Sequence, residues 1–225
     1  MMKQLISFLI IAVLALAVAI FFSENSTKFI SNNSQPNPVV NTILSSTTTR
    51  AFTDKSVDDK TIDLIIKAGI QAPSARNIQP WHFSVVTNKE FIEKINTDTL
   101  TAGEKEAEKN PGRPKPPKDF HALFHAPIVI VISADIDSPS STFDSALACE
   151  NMSIAAQSLG LGTHIVTSVT MAFKGANEEI YRKTLGIPND KKPVAILLIG
   201  EPNPAAADVV SKATVRNQEV VTYVK

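Results

Sequence analysis

Apolar positions recur along the chain with two different spacings, which predict two kinds of element. Helical spacing begins after Asp58, which with Ser56 is a candidate helix cap. The recurring positions there are Ile62, Ile65, Ile66, Gly69 and Ile70. Unbroken apolar runs rich in β-branched residues occupy residues 127–134 and 194–200. Such runs are typical of strands that are covered on both faces.

Weaker patterns between these segments complete the order of elements. They predict a strand over residues 82–87, a short amphipathic helix over 89–96, an alanine-rich helix over 142–159, a helix stop and strand over 160–169, and a helix over 177–185. Helices that alternate with short strands predict an α+β domain of three layers, with helices packed against one small sheet. The tail after Pro204 is apolar and extended, and it predicts a C-terminal arm that packs elsewhere.

The first residues predict a membrane-targeting segment. Lys3 precedes an uncharged run from Leu5 to Phe22, which at about 1.5 Å per helical residue spans roughly 27 Å, one hydrocarbon core. Residues 1–22 are therefore a signal anchor or a cleaved signal peptide, and small residues near Ala17 fit a cleavage site. Either alternative places the domain on the extracytoplasmic side, membrane-anchored or secreted.

Two polar stretches separate these predicted parts. Residues 23–45 are rich in Ser, Asn and Thr and predict a solvated linker, so that the folded domain covers residues 46–225. Residues 101–118 are charged and contain four prolines, which predicts a mobile excursion. Mobile loops on a rigid scaffold often determine substrate range, and this excursion is the candidate lid.

Composition excludes several classes of function. The 22 basic residues balance 22 acidic ones, so no broad cationic surface is available for a nucleic acid. The single cysteine, Cys149, lies in the alanine-rich helix and is interpreted as a packed small side chain rather than a nucleophile. His121 and His125 would form a metal-binding pair if they were helical, but no third ligand is evident, and no metal is expected.

Three segments together resemble the nitroreductase-like FMN flavoproteins. They are TTTRAFTDKSV (residues 47–57), PSARNIQPW (73–81) and GLGTHIVTS (160–168), and they occur in that family's order and spacing. The resemblance covers nearly all of residues 46–224. It implies a central, mostly antiparallel sheet flanked by helices, FMN as cofactor, and a homodimer with two shared sites.

The first segment is the expected phosphate site. Arg50 and Thr48 precede a helix and offer the charged donor and the hydroxyl that an FMN phosphate needs. The family commonly carries a further arginine where this chain has Ser46 or Thr47. The resemblance implies that Arg216 or Lys212 in the tail supplies additional charge.

The other two segments are expected to contact the flavin ring. The resemblance implies that one turn approaches the flavin of the partner subunit through Pro73, Ser74, Ala75 and Asn77. It also implies that backbone N–H groups of Val166, Thr167 and Ser168 face the ring. Trp81 is interpreted as a core anchor, and Arg76, which the family pattern does not explain, is expected to face solvent.

The resemblance implies an FMN-dependent oxidoreductase that takes hydride from NAD(P)H and passes it to a small acceptor, such as a nitroaromatic or a quinone, by a ping-pong reaction. No catalytic side chain is expected, since the cofactor carries the chemistry. Two alternatives remain open. One is a flavin-binding relative without NAD(P)H turnover, and the other is a flavin-fragmenting or dehalogenating branch of the same fold.

Overall fold

Four strands form one antiparallel sheet in the part of the chain that the computed structural model describes, which is residues 37–110, 112, 114–206 and 220–224. They are β1 (Trp81–Val86), β2 (Ile128–Asp135), β3 (Gly162–Val166) and β4 (Lys191–Gly200). Their spatial order is β1-β2-β4-β3, and every neighbouring pair is antiparallel. The mostly antiparallel sheet that the resemblance implies is confirmed.

Helices α2 (Asp59–Ile70), α3 (Lys89–Lys109), α4 (Ser141–Ser158) and α5 (Glu178–Thr184) cover both faces of this sheet. They are preceded in the chain by another helix, α1 (Pro38–Ser45). Side chains of β2 alternate between the faces, so Ile130 packs with α2 and α4 while Val131 packs with α3 and α5. The predicted three-layer α+β architecture is confirmed.

The two apolar runs form the two central strands. All residues of β2 from Ile128 to Ala134 are buried, and so are the last five residues of β4. Both runs lack alternation because each strand is covered by a helix layer on either side. The polar residues of these two strands, apart from the buried Ser133, therefore lie at one end of each, Asp135 in β2 and Lys191 and Lys192 in β4.

Helix α2 begins and packs as its sequence predicts. Of the two candidate caps, Asp58 is the one used, because its carboxylate accepts hydrogen bonds from the backbone N–H and the hydroxyl of Thr61. These bonds lower the pKa of Asp58. Near the other end, a Cβ on Gly69 would lie 2.6 Å from Met152 Cγ, so glycine is what allows α2 to approach the alanine-rich α4.

Helix α3 is much longer than predicted. The expected short helix over residues 89–96 continues to Lys109, so the first half of the predicted mobile excursion is regular helix. The apolar pattern ends near Asn96, but residues 104–109 (Glu, Lys, Glu, Ala, Glu and Lys) are strong helix formers, and the ion pair between Lys94 and Asp98 at i, i+4 supports the helix. Ala107 is buried near the end of this extension.

The chain divides into two units, Met1–Leu44 and Ser45–Lys225. The predicted linker is not free of regular structure, since it contains α1, none of whose residues is buried. None of the described helices combines the length and the apolar character needed to cross a bilayer. The segment from Leu5 to Phe22 lies outside the described residues, as does most of the arm. The last described residues of the C-terminal arm, 220–224, are exposed and lack regular secondary structure.

Candidate functional site

The predicted phosphate segment lies along the edge strand β3. Thr48 forms a parallel bridge with Thr163, and the Thr49 N–H donates to the Thr163 carbonyl at 2.8 Å. The Thr53 N–H donates to the carbonyl of Glu201, the residue that follows β4. These bonds hold Thr48 and Arg50 beside β3, and both residues are half-buried there.

Close packing beneath this segment requires a glycine. Thr49 is buried directly against Gly162, and a Cβ at position 162 would collide with the Thr49 side chain. Gln157 of α4 adds a polar clamp, since its side-chain oxygen accepts the Thr47 N–H and its amide donates to the Thr163 hydroxyl. Gly162 thus positions the phosphate segment, whereas Gly160, with φ of 81°, follows the end of α4.

His164 is a site residue that the sequence reasoning missed. It lies on β3, its ring stacks on Phe124 with centroids 4.8 Å apart, and its buried Nδ1 has no hydrogen-bond partner among the described residues. Burial, and then the positive charge of Arg50, lower the pKa of His164 to about 4. At neutral pH the ring is therefore uncharged and does not compete with Arg50 for an anion.

The PSARNIQPW turn has a backbone of unusual conformation. Arg76, Asn77 and Gln79 have φ of 53°, 57° and 52°, in the left-handed region that residues other than glycine rarely adopt. Two hydrogen bonds maintain it. The Gln79 N–H donates to the Ser74 hydroxyl oxygen at 3.0 Å, and the Ala75 N–H donates to the Asp144 carboxylate at 3.1 Å.

Exposure within the turn differs from residue to residue. Pro73, Ala75 and Asn77 are exposed, Ser74 is half-buried, and Arg76 is exposed as predicted. Trp81 is half-buried rather than a core residue, and its ring stacks on Phe83 with centroids 6.3 Å apart. The predicted role of Trp81 as a core anchor is wrong, because β1 is an edge strand and its first residues are only partly covered.

The third group of predicted residues lies where β3 ends. Val166 is half-buried, while Thr167 and Ser168 are exposed. Thr167 precedes a 3₁₀ helix, Ser168–Phe173, and its carbonyl accepts both the N–H and the hydroxyl of Thr170. The first N–H groups of a helix have no partner within that helix, so they remain available as donors.

A single subunit brings together two of the three predicted groups. Thr48 and Arg50 lie beside β3, and residues 166–168 continue the same strand. The turn at residues 73–77 precedes β1, the opposite edge strand. Three strand spacings separate the two edges, about 14 Å at roughly 4.8 Å each. Lys212 and Arg216 lie outside the described residues.

The deciding comparison is with family sequences. The sequence model of the nitroreductase family matches residues 43–201, which includes all three groups. The chain belongs to the nitroreductase family.

Individual relatives agree with this assignment. A protein of Archaeoglobus fulgidus named "Putative NADH dehydrogenase/NAD(P)H nitroreductase" is 30% identical over 160 residues, which cover 68% of this chain and 79% of that protein. The crystal structure of an FMN-bound nitroreductase from Bacteroides fragilis superposes with a TM-score of 0.75 at 25% identity, covering 84% of this chain and all of that one. An FMN-bound nitroreductase from Desulfitobacterium hafniense gives 0.73 at 25% identity, covering 85% of this chain and all of that one.

His121 and His125 of this nitroreductase-family chain are adjacent although they are not helical. Their ring centroids are 3.8 Å apart, and a third potential ligand, Glu93, lies 3.2 Å from His121 Nε2. The His121 Nδ1 accepts the N–H groups of Leu123 and His125, so in the neutral ring the proton is on Nε2 and is donated to Glu93. A metal at Nε2 would require a proton on Nδ1, facing two donors. The cluster therefore fits a hydrogen bond better than a metal.

Cys149 is the packed side chain that its position predicts. It is buried against the sheet, and burial raises the pKa of its thiol to about 12. The thiol therefore stays protonated at neutral pH, and a nucleophilic role is not supported.

Replacing Asp144 should loosen the turn. Asp144→Ala removes the buried acceptor of the Ala75 N–H, and we expect the free energy of unfolding to fall by about 1–3 kcal/mol and FMN to bind more weakly. Asp144→Asn retains a side-chain oxygen and should therefore lose less stability and less affinity for FMN. Urea unfolding and flavin titration measure the two effects, and Asp63→Ala, at an exposed position of α2, is the control. Equal behaviour of the Ala and Asn variants would contradict this role.

His164 should make stability depend on pH. Its pKa is about 4 when folded and near 6.5 when unfolded, so the unfolded chain takes up more protons as pH falls between these values. Stability is therefore complete above pH 6.5 and is lost on acidification. Between pH 7 and pH 5 we expect the wild type to lose about 2 kcal/mol more than His164→Phe, which keeps the stacking on Phe124.

Urea unfolding of flavin-free protein at the two pH values measures this difference. His82→Phe, on the opposite edge strand, is the matched control and should retain the wild-type dependence on pH. A His164→Phe variant with the same dependence as the wild type would show that another group is responsible.

Proposed function

We propose that this nitroreductase-family protein is an FMN-dependent oxidoreductase that uses NAD(P)H to reduce a small acceptor, such as a nitroaromatic or a quinone. Bound FMN would accept hydride from NAD(P)H in one half-reaction and pass it to the acceptor in the other, which makes the reaction ping-pong. The single observation that carries the proposal is the alignment of Arg50 with the exposed residues 167 and 168 along one edge strand. That alignment offers a cationic site at one end and backbone donors at the other.

The chain's own residues have distinct tasks in this proposal. Arg50 and Thr48 bind the phosphate through charge-assisted and hydroxyl hydrogen bonds. His164 remains neutral beside Arg50, so the site carries the positive charge of the guanidinium alone. The N–H groups that open the 3₁₀ helix after Thr167 orient the ring, and the chain supplies no acid or base for the transfer.

We infer that the active form is a homodimer. The turn and the β3 edge belong to opposite sides of one subunit, so a second chain is needed to bring a turn to each β3 edge. The exposed, apolar end of the chain supports this, since Val220 and Val224 are 72% and 93% exposed. Apolar residues exposed to this degree are suited to packing against another chain.

We also propose an extracytoplasmic location for the domain, which rests on the apolar run from Leu5 to Phe22 behind Lys3. An alkaline phosphatase fused after residue 45 should be active in bacterial cells, because that reporter folds only outside the cytoplasm. A β-galactosidase fused at the same position should be inactive. The reverse pair of results would refute the location.

Arg50 should govern FMN affinity. We expect Arg50→Ala to raise the FMN dissociation constant roughly 10- to 100-fold, since charged hydrogen bonds contribute about 1.5–3 kcal/mol. Arg50→Lys retains the charge without the forked geometry, so its FMN dissociation constant should lie between those of the wild type and of Arg50→Ala. Fluorescence titration of apoprotein measures the constant, with Lys60→Ala on α2 as a control of equal charge change. An Arg50→Ala variant with wild-type affinity would move the phosphate site elsewhere.

The absorption spectrum of purified residues 46–225 tests the function directly. We expect an oxidised-flavin spectrum that NADPH or NADH bleaches rapidly in the absence of oxygen, and that a nitroaromatic or quinone then restores. A colourless protein that takes up no FMN would refute the cofactor. A flavin that dithionite bleaches but reduced nicotinamide does not would refute the reductase activity and favour a flavin-binding relative without turnover.

A further inference from the structure

A cavity lined by three lysines lies between α3 and the segment that follows the proposed ring contacts. It has a volume of about 630 Å³ and is enclosed by the C-terminal half of α3 on one side and by the segment from Met171 to Asn177 on the other. Lys105 and Lys109 line it from α3, one helical turn apart, and Lys174 faces them from the other wall. The proposed FMN contacts do not include these lysines.

Lysines outnumber the acidic side chains that line this cavity. Of its two acids, Asp98 forms an ion pair with Lys94 and accepts from Asn177 and Tyr181, whereas Glu106 accepts from the neutral Asn110 amide at 2.7 Å and keeps its charge. Within the described ranges, no carboxylate comes within ion-pair distance of Lys105, Lys109 or Lys174. Three ammonium groups beside one carboxylate without a cationic partner in those ranges leave the cavity with a net positive charge, which favours an anionic ligand.

One short helix separates the proposed ring contacts from the cavity. The 3₁₀ helix Ser168–Phe173 begins at the proposed ring contacts, and Met171 and Ala172, near its other end, line the cavity. From Ser168 to Phe173 this helix rises roughly 10 Å at about 2 Å per residue, and Lys174 follows it. A ligand that stacks on the ring and extends along the helix would therefore place its distant part among the lysines.

We propose that Lys105, Lys109 and Lys174 bind the phosphate groups of the reduced nicotinamide dinucleotide, and that they favour NADPH over NADH. This inference rests on the proposed function, because it takes the dinucleotide as the reductant. The chemistry fits, since a nicotinamide dinucleotide carries a pyrophosphate far from its reacting ring and NADPH adds a further phosphate. Lysine is a common phosphate-binding residue and acts as a point charge.

Stopped-flow reduction of the bound flavin in the complete holoprotein tests the proposal. For each Lys→Gln substitution we expect the apparent dissociation constant for NADPH to rise roughly twofold to fivefold, in the range of exposed ion pairs, and the triple variant to combine these losses. The limiting rate of flavin bleaching should not change, because the lysines do not touch the reacting ring. The wild type should bind NADPH more tightly than NADH, and salt should weaken NADPH binding less in the triple variant.

The control is Lys60→Gln with Lys67→Gln, two exposed lysines of α2 on the other face of the sheet, which should leave NADPH binding unchanged. Calorimetric titration with 2′-phospho-ADP-ribose gives a readout that needs no turnover. The proposal is overturned if the triple variant, with wild-type flavin content, binds NADPH and this fragment as the wild type does, or if NADH binds the wild type as tightly as NADPH. If no reduced nicotinamide bleaches the wild-type flavin, the proposed function fails, and titration with the fragment still decides whether the lysines bind phosphate.

Discussion

Burial of the sheet on both faces determines where this molecule can carry out chemistry. β2 and β4 are covered by α2 and α4 on one side and by α3 and α5 on the other, so their polar side chains reach the surface only at one end, at Asp135, Lys191 and Lys192. The other places for a polar site are the two edge strands and the segments that join them. The phosphate segment and residues 166–168 share the β3 edge, while the PSARNIQPW turn lies at the β1 edge. The proposed flavin site, which combines both edges, therefore needs two chains.

Each edge is held in place by a contact between distant parts of the chain. Thr49 packs on Gly162 and its N–H donates to Thr163, which fixes Arg50 beside His164. The turn depends on Asp144, 69 residues further along the chain than its partner Ala75. Residues in left-handed conformations cost of order 1–3 kcal/mol each, and they persist only where the surroundings determine them. Three of them in one turn, which hydrogen bonds to Ser74 and Asp144 maintain, make this turn a candidate binding element.

The sequence predicts the layers of this fold well, because burial produces a local pattern. Unbroken apolar runs predict both central strands, and helical spacing predicts α2 and α4. The extension of α3 from Thr101 to Lys109 is missed because it has almost no apolar pattern, with Ala107 as its one buried residue. In the proposed site, the motif segments predict the positions assigned to the flavin, but His164, Asp144 and the three cavity lysines become visible only when distant segments meet. Trp81 is misjudged for the same reason, since no local pattern distinguishes an edge strand from a central one.

Mixed dimers test the shared site most directly. Arg50→Ala impairs the β3 edge alone. Asn77→Gly removes an exposed amide from the turn while tolerating its positive φ. When the two variants are co-expressed with different affinity tags and the mixed dimer is isolated, one of its two sites combines an intact Arg50 with an intact Asn77. The account predicts that this dimer regains one tight FMN site, half the wild-type content, although each parent binds weakly. A mixed dimer that binds FMN no better than its parents would contradict the account.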